Sequence, residues 1–465
     1  MDSKDKGAAA GIVAQALAAT PESLGGEALA HARRCLLDYL SCAFEALPLP
    51  WSEQAAALAA PAAAGGAHIV GRAGPRTLAE AAFANAVAGH GLVREDMHAG
   101  AVAHLGVVVW PTVLALAERH RVSGAQALAA AVVGYEVGAR IGRAVIDPQL
   151  ARLFRPTGLV GPFAAALAGA RVAGLDAGRA RHAFALAGNC CAGLNEWAHT
   201  GGSEMYFHPG FAVRNALACL DLAGLGARAS ASILEGEAGF FRAYARAPLA
   251  RDIALFEGGR AEIAAVFNKP APACNFAQTP CQAALRAVGD VAGGSRRIAT
   301  VRVETTLAAV AYPGCASRGP FDTALQAKMS ICFGVAAVLA RGALEEANYA
   351  RLDDPEIARL AAATTLAEDA AYTAAFPARQ GARVTLELDD GSRVSAELDD
   401  VVAAGEAQIR ERFRRAAAAA VGAQRAGRIE AMVDGYGREA DAGELARLCA
   451  LPAAGQGRAA RAGGA

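Results

Sequence analysis

The sequence predicts a mainly α-helical protein in which a smaller α+β domain is inserted into a larger all-helical domain. Residues 8–250 place apolar side chains at three- and four-residue spacing, and glycines or prolines interrupt the pattern. Residues 296–306 and 382–398 instead alternate apolar and polar positions, as strands do. Helical spacing returns after residue 400. The fold class follows from these three observations.

The domain bounds follow from the same changes of pattern. A chain of 465 residues is too long for one ordinary core. We expect a helical domain from residues 1–264 and 401–465, and an α+β domain from residues 265–400.

Each domain contains one distinctive element. In the α+β domain, residues 382–398 predict a hairpin that turns at Asp389-Asp390-Gly391, and residues 323–342 predict a helix with a continuous apolar face. In the helical domain, Gly134, Gly138 and Gly142 recur every four residues along one side of a helix. Because glycine costs helix propensity, we interpret the three as packing residues where two helices approach closely.

The composition excludes several classes of function. Lys+Arg and Asp+Glu both total 45, so no net charge directs the chain toward nucleic acid or an anionic membrane. There is neither a secretory leader nor an apolar run of about 18 residues. The ten cysteines are scattered without a C-x-x-C pair, which disfavours a zinc site or a disulfide framework. We expect a cytoplasmic protein whose partner is a small molecule or a second copy.

The densest polar cluster lies between two apolar helices and contains two acids, an arginine and three histidines: His90, Arg94, Glu95, Asp96, His98 and His104. Histidine is the natural acid or base near neutral pH, and a neighbouring carboxylate orients it. The cluster therefore predicts a catalytic loop. A solvated loop with incidental charges is one alternative. A metal site of Asp96, His98 and His104 is another, although no second ligand motif exists elsewhere.

A second candidate segment, residues 268–275, contains two prolines and presents Lys269 and Cys274 at the domain junction. The chain has only four lysines, so an internal one indicates a tuned ammonium group, although chance retention is an alternative. Such a rigid segment suits the binding of a substrate carboxylate.

Two further segments are candidates for substrate contacts. Arg155 and Thr157 open a helix, where backbone amides and a guanidinium favour an anion. Glu204 and His208 belong to a loop rich in glycine and aromatic residues that could form the wall of a pocket. Taken singly, each segment is more often structural than catalytic.

In this order the chain contains the stretches LLDYLSCAFEAL, FANAVAGHGLVREDMH, GYEVGARIG, FRPTGLVGPFAAALAGARVAGLD, HPGFAVRNALACLDLAG, LEGEAGFFRAY, KPAPAC and DTALQAKMSICFGVAAVLARG. The ordered set resembles the MmgE/PrpD family over about residues 10 to 440. The family includes 2-methylcitrate dehydratase, cis-aconitate decarboxylase and iminodisuccinate epimerase. The resemblance implies a helical domain formed by both chain ends, an inserted α+β domain, a homodimer and an active site between the domains. It also implies that neither a metal nor an organic cofactor is needed.

The resemblance assigns roles to particular residues. It places Asp96 and His104 in the acidic loop of the site, matches Lys269 to the family lysine, and matches Tyr312 to the active-site tyrosine. In a dehydratase, one group removes a proton α to a carboxylate while His104 protonates the departing hydroxyl, and Lys269 and Arg155 hold carboxylates. A lyase that adds or removes water on a small di- or tricarboxylate is the leading expectation. An isomerase, epimerase or decarboxylase on a related acid is the alternative, and a non-catalytic binding protein or scaffold is the third possibility.

The chain departs from the family pattern at four positions. Arg155 replaces a histidine and Met205 replaces a lysine, while Val93 and Met97 replace an aspartate and a threonine. An arginine grips a carboxylate through two nitrogens but does not act as a base near neutral pH. These changes indicate a divergent branch of the family, and they leave open whether methylcitrate is its substrate.

Overall fold

The computed structural model describes residues 7–62, 64–245, 253–291 and 294–452. Its first part consists of twelve helices and three two-residue strands. The helices are α1 (Ala8–Ala18), α2 (Pro21–Glu45), α3 (Pro50–Leu58), α4 (Leu78–His90), α5 (Gly106–His120), α6 (Gly124–Val145), α7 (Pro148–Leu153), α8 (Pro156–Val172), α9 (Ala177–Ala187), α10 (Trp197–Thr200), α11 (Glu204–Gly224) and α12 (Phe240–Tyr244). The strands are β1 (Ala67–His68), β2 (Pro75–Arg76) and β3 (Met97–His98).

The core of the helical part is built around α6 and α8, which pack on each other. A Cβ atom added at Gly138 would lie 2.5 Å from Leu105 and 3.1 Å from Ala164, and one added at Gly134 would lie 2.8 Å from Val109. A methyl group at Gly134 would collide with α5, and one at Gly138 would collide with the turn before α5 and lie close to α8. The interpretation of these glycines as packing residues is confirmed.

The α+β part contains β4 (Val266–Phe267), a four-stranded sheet and six helices. The sheet order is β6-β5-β7-β8, in which only the β5–β6 pair is parallel. These strands are β5 (Ile298–Thr305), β6 (Thr364–Glu368), β7 (Ala382–Leu388) and β8 (Arg393–Leu398). The helices are α13 (Gln278–Gly289), α14 (Leu307–Ala311), α15 (Ala324–Met329), α16 (Ile331–Arg341), α17 (Pro355–Ala362) and α18 (Ala370–Ala375). Alternate β7 residues are buried beneath α13, which explains the period-two pattern.

The helix expected over residues 323–342 is divided into α15 and α16 at Ser330. The backbone of Ser330 is extended, and its side chain accepts a hydrogen bond from the amide of Phe333. Ser330 also donates to the carbonyl of Ser317 at 2.6 Å. A serine that caps the next helix interrupts the one before it, although the apolar spacing continues on both sides.

The chain ends with α19 (Glu406–Val421), α20 (Ala423–Gly435) and α21 (Gly443–Cys449). Helix α19 lies along α2, where Phe413 meets Phe44 edge-on, and α21 packs on α5. The last helices therefore return to the helical part. The fold class is confirmed as mainly α with a smaller α+β part. No helix in the described ranges has the length and apolar character needed to cross a membrane.

Candidate active site

The centre of the site is a carboxylate shared by two histidines. His90 is the last residue of α4, and Glu95 and His104 belong to the loop that leads to α5. Glu95 Oε1 lies 2.5 Å from His90 Nδ1 and 3.0 Å from His104 Nδ1. All three side chains are fully buried. One acid therefore orients both imidazoles.

Burial lowers the pKa of His104 to about 3 and also lowers the pKa of His90, although the charge of Glu95 opposes both shifts. Burial alone would raise the pKa of Glu95, but the two histidines hold it well below its usual range. At neutral pH we therefore assign neutral imidazoles that are protonated on Nδ1 beside an ionised Glu95. The Nδ1–H of His90 donates to Glu95, and that of His104 lies 3.0 Å from both Glu95 Oε1 and the carbonyl oxygen of Asp96. This tautomer leaves the lone pair of Nε2 on each ring, so His104 suits the role of a base better than that of an acid.

Two cations and a phenol lie beside this triad. Arg155 at the start of α8 places Nη2 3.3 Å from His90 Nε2 and Nη1 3.3 Å from the hydroxyl of Tyr312. Lys269 is fully buried and donates to the carbonyl of Ala273 at 2.8 Å. Burial lowers the pKa of Lys269 to about 8, although Glu95 acts in the opposite direction. The lysine is therefore still mainly an ammonium ion at neutral pH.

Of these groups, His104, Arg155 and Tyr312 line a small cavity between the helical and the α+β parts. Its volume is about 10 Å³, and its wall is formed by Val93, Met97, Val102, His104, Arg155, Cys274, Asn275, Phe276, Tyr312 and Met329. Four buried polar atoms in or near its wall lack a hydrogen-bond partner: Asn275 Oδ1, Arg155 Nε, Glu95 Oε2 and His208 Nδ1. Unsatisfied buried groups are costly unless a ligand or water completes them. The arrangement therefore fits a site for a small polar ligand.

The backbone around the cavity is strained. Val93 has φ 57° and Val102 has φ 49°, and both residues line the wall. A β-branched side chain is unfavourable in this left-handed region, at a cost of about 1–3 kcal/mol. Such strain is retained where the surrounding structure enforces it, and functional sites are a common place for it.

The segment that carries Lys269 is fixed by several hydrogen bonds. The side chain of Asn268 donates to Asp38 on α2 at 2.9 Å, and Arg412 on α19 donates to the carbonyl of Lys269 at 3.0 Å and also to that of Pro270. Gln278 bonds the backbone of Ala271, Ala273 and Cys274. Nearby, β3 pairs with β4 in the antiparallel sense, which joins the loop of His104 to the domain junction.

Several of the other predicted residues lie close to the triad. The hydroxyl of Thr157 accepts a hydrogen bond from the amide of His104 at 3.0 Å, so it positions the loop. His208 on α11 is buried, and its pKa falls to about 3 through burial and the charge of Arg155. Cys274 lines the cavity with its sulfur 3.8 Å from that of Cys315. All ten cysteines, which lie in the described ranges, are free thiols.

Three predicted side chains lie elsewhere. The carboxylate of Asp96 accepts hydrogen bonds from the hydroxyl of Tyr135 and from the amide of Gly106, within the helix packing. His98 pairs with Glu262 at 2.8 Å, and Glu204 is exposed at the start of α11. The metal site considered for Asp96, His98 and His104 is therefore not assembled. Asp96 contributes only its carbonyl, which lies 3.0 Å from His104 Nδ1.

The sequence analysis included His90 and Glu95 in the polar cluster but did not predict them as site residues. The two residues are five positions apart on either side of a helix end, so helical spacing does not predict that their side chains meet. Met205 also reaches the triad, with its sulfur 3.0 Å from His90 Nε2. The residue that replaces the family lysine therefore still lies at the site.

The triad is also the one group of the described residues whose ligand atoms could converge on a metal ion. The relevant atoms of His90, Glu95 and His104 lie within 4.8 Å of one another. However, Lys269 and Arg155 both lower the pKa of each histidine through their charge. The same positive potential opposes a divalent cation, so the donor set fits an anionic ligand better.

The chain is similar to known proteins over most of its length. The MmgE/PrpD N-terminal domain model matches residues 11–251, and the MmgE/PrpD C-terminal domain model matches residues 271–437. A cis-aconitate decarboxylase of Aspergillus terreus is 26% identical over 460 residues, which cover 93% of each chain. A cis-aconitate decarboxylase-like protein, oryM, of Aspergillus oryzae is 32% identical over 209 residues, which cover 42% of each chain. This chain belongs to the MmgE/PrpD family.

Proposed function

We propose that this protein is a lyase that acts on a small di- or tricarboxylic acid through a carbanion, and that its reaction is the decarboxylation of an acid similar to cis-aconitate. The observation that carries the proposal is the cavity wall. Apolar Val93, Met97 and Phe276 face the same space as the cation Arg155 and the neutral base His104.

The mixed wall favours loss of carbon dioxide for a physical reason. A carboxylate held against apolar side chains loses hydration, whereas the carbon dioxide that forms is neutral and needs none. Arg155 and Lys269 would bind the remaining carboxylates and stabilise the negative charge that develops on carbon. The full-length likeness to a protein named cis-aconitate decarboxylase supports the same reaction.

The carbanion needs a proton, and in this proposal the donor is Lys269, whose charge acts on both His104 and Glu95. Its pKa of about 8 lets it hold a proton at neutral pH and release it readily. Tyr312 is a weaker acid, because burial raises the pKa of its hydroxyl. In this scheme His104 and Glu95 orient the substrate and the donor, and Lys269 takes a new proton from solvent after each turnover.

Dehydration, the leading expectation from the sequence, is the second candidate. It also passes through a carbanion beside a carboxylate, but this one forms when His104 removes the α proton of a hydroxy acid, and Lys269 protonates the hydroxyl that leaves as water. Dehydration is favoured because Lys269, an acid with a pKa of about 8, lies beside the neutral imidazole of His104. In this scheme Lys269, and not His104 as expected from the family resemblance, is the acid that protonates the leaving hydroxyl.

The test is to incubate the protein separately with cis-aconitate, citrate and 2-methylcitrate in heavy water. Carbon dioxide release and proton NMR of the products distinguish decarboxylation from dehydration and from simple α-proton exchange. We expect release from cis-aconitate that His104→Ala and Lys269→Ala each reduce by at least about 100-fold. If no acid releases carbon dioxide, loses water or exchanges a proton, the proposal fails.

A further inference from the structure

A second, larger cavity lies at the junction of the helical and the α+β parts. Its volume is about 500 Å³, and its wall shares no residue with the catalytic cavity. The wall from the helical part is polar and carries Arg94, Arg412 and Arg415, and the wall from the α+β part has an apolar stretch with Leu285, Val338 and Leu344. We call it the arginine pocket. A cavity of this size and mixed lining is typical of a site for a small organic molecule.

The polar wall contains a buried guanidinium with unused hydrogen-bonding capacity. The side chain of Arg94 is 4% exposed, and its Nε has no hydrogen-bond acceptor. Its Nη2 forms an ion pair with Glu45 Oε2 at 2.8 Å, so Nε is the donor that has no partner. Burying a donor without an acceptor is costly, so an oxygen of a ligand in the pocket would stabilise Arg94.

The charges on the polar wall leave positive character available. Glu45 is the single carboxylate on that wall, and it is shared between Arg94 and, at 3.9 Å, Arg415. On the wall from the α+β part Glu346 is bonded at 2.6 Å to Lys328, while Glu345 is exposed to solvent. The pocket therefore fits a molecule with an anionic group beside the arginines and an apolar part beside the leucines.

The wall also reaches both catalytic segments. Arg94 precedes Glu95 in the chain, and Arg412 holds the carbonyl of Lys269. Lys328, held by Glu346, donates to the carbonyl of Leu92 at 3.3 Å. A ligand that moved any of these side chains would move the triad or the lysine.

We propose that the arginine pocket binds a small organic anion, a carboxylate or a phosphate ester, that regulates the catalytic cavity. Binding does not depend on the proposed reaction, whereas the regulatory effect rests on it. Arg94 and Arg415 hold the anionic group, and the apolar wall covers the rest of the ligand.

The experiment is a calorimetric titration of the full chain with citrate and, separately, with glycerol 3-phosphate. The test variant is Arg415→Gln, because Arg415 lies on the surface with its side chain 60% exposed, and its loss leaves the core unchanged. The matched control is Arg393→Gln on β8, whose side chain is 70% exposed and paired with Glu387 away from the pocket. Ala343→Trp fills the rim of the pocket as an independent variant.

We expect at least one anion to bind with an affinity that Arg415→Gln weakens by about three- to tenfold. Ala343→Trp should weaken the same event, while Arg393→Gln and Lys269→Ala leave it unchanged. Binding of citrate alone would indicate that the ligand is a carboxylate. Binding of glycerol 3-phosphate alone would indicate that it is a phosphate ester. The proposal is overturned if neither anion binds at millimolar concentration, or if binding is lost in Lys269→Ala and retained in both pocket variants. Carbon dioxide release is measured separately, so failure here is distinct from failure of the proposed reaction.

Discussion

At the scale of single residues, two adjacent acids differ entirely in their surroundings. Glu95 is held by two imidazoles at the cavity, whereas Asp96 is bonded to Tyr135 and Gly106 between helices. Consecutive residues of an extended loop point to opposite sides, so only one of the two can face the site. Spacing alone does not show which of the two faces the site, and the sequence analysis selected Asp96.

Substitution of these neighbours by amides should separate their roles. Glu95→Gln removes the negative charge that orients His90 and His104, so we expect kcat/KM to fall by about 10²–10⁴. Asp96→Asn keeps a similar shape between the helices, so kcat/KM should stay within about tenfold of the wild type. Each variant serves as the control for the other, provided that circular dichroism shows both to be folded. Equal losses would place Asp96 in the chemistry.

The stability of Asp96→Asn should depend on pH with a definite sign. Burial raises the pKa of Asp96 to about 7, so the folded state binds its proton more tightly than the unfolded chain does. The wild type therefore loses stability as the pH rises from about 4 through 7, and the amide does not. We expect the variant to gain up to about 3 kcal/mol relative to the wild type between pH 5 and pH 8 in urea unfolding. A constant difference across that range would contradict the assignment.

The pH dependence of turnover should report Lys269. If its ammonium form donates the proton, kcat/KM falls about tenfold per pH unit above pH 8, because its pKa is about 8. His104, with its pKa of about 3, adds no acidic decline above pH 5. Lys269→Arg keeps a positive charge but cannot release a proton, so the remaining activity should lack the decline near pH 8. An unchanged decline in that variant would assign it to another group.

At the scale of helices and strands, the glycine row of α6 offers the sharpest test of packing. We expect Gly138→Ala to destabilise the fold by about 1–3 kcal/mol, because the new methyl group would meet Leu105 and Ala164. Gly427→Ala on α20 is the control, since no atom lies within 4 Å of the new Cβ. That change should stabilise by up to about 1 kcal/mol through helix propensity. Chemical denaturation measures the free energy of unfolding of both variants. If the two substitutions changed it in the same direction, close packing at α6 would be contradicted.

Much of the fold could be predicted because local periodicity encodes it. The alternation in residues 296–306 and 382–398 corresponds to β5, β7 and β8, and the apolar spacing marks the main helices. The short strand β6 (Thr364–Glu368) was not predicted, since it is brief and follows an Ala-rich helix. The site was predicted only in part. His104, Arg155, Lys269 and Tyr312 converge, but the pairing of His90 with Glu95 depends on how a loop folds, which residue spacing does not encode.

At the scale of the whole molecule, the catalytic cavity is formed by both parts of the chain. His104 and Arg155 come from the helical part, and Cys274 and Tyr312 from the α+β part. A cavity of about 10 Å³ holds about one water molecule, whereas ligand pockets are usually about 300–1,000 Å³. The two parts, or the side chains between them, must therefore move apart before a carboxylic acid can bind.

This requirement should limit the rate of binding. In stopped-flow fluorescence with propane-1,2,3-tricarboxylate, we expect the observed rate to level off at high ligand concentration, at the rate of opening. The initial slope should lie at or below about 10⁵–10⁷ M⁻¹s⁻¹. Arg415→Gln serves as the control, because it leaves the catalytic cavity intact and should give the same plateau without an anion in the arginine pocket. A rate that rises linearly to about 10⁸ M⁻¹s⁻¹ would mean that the cavity is already open in solution, and the closed arrangement would then be a minor state of the molecule.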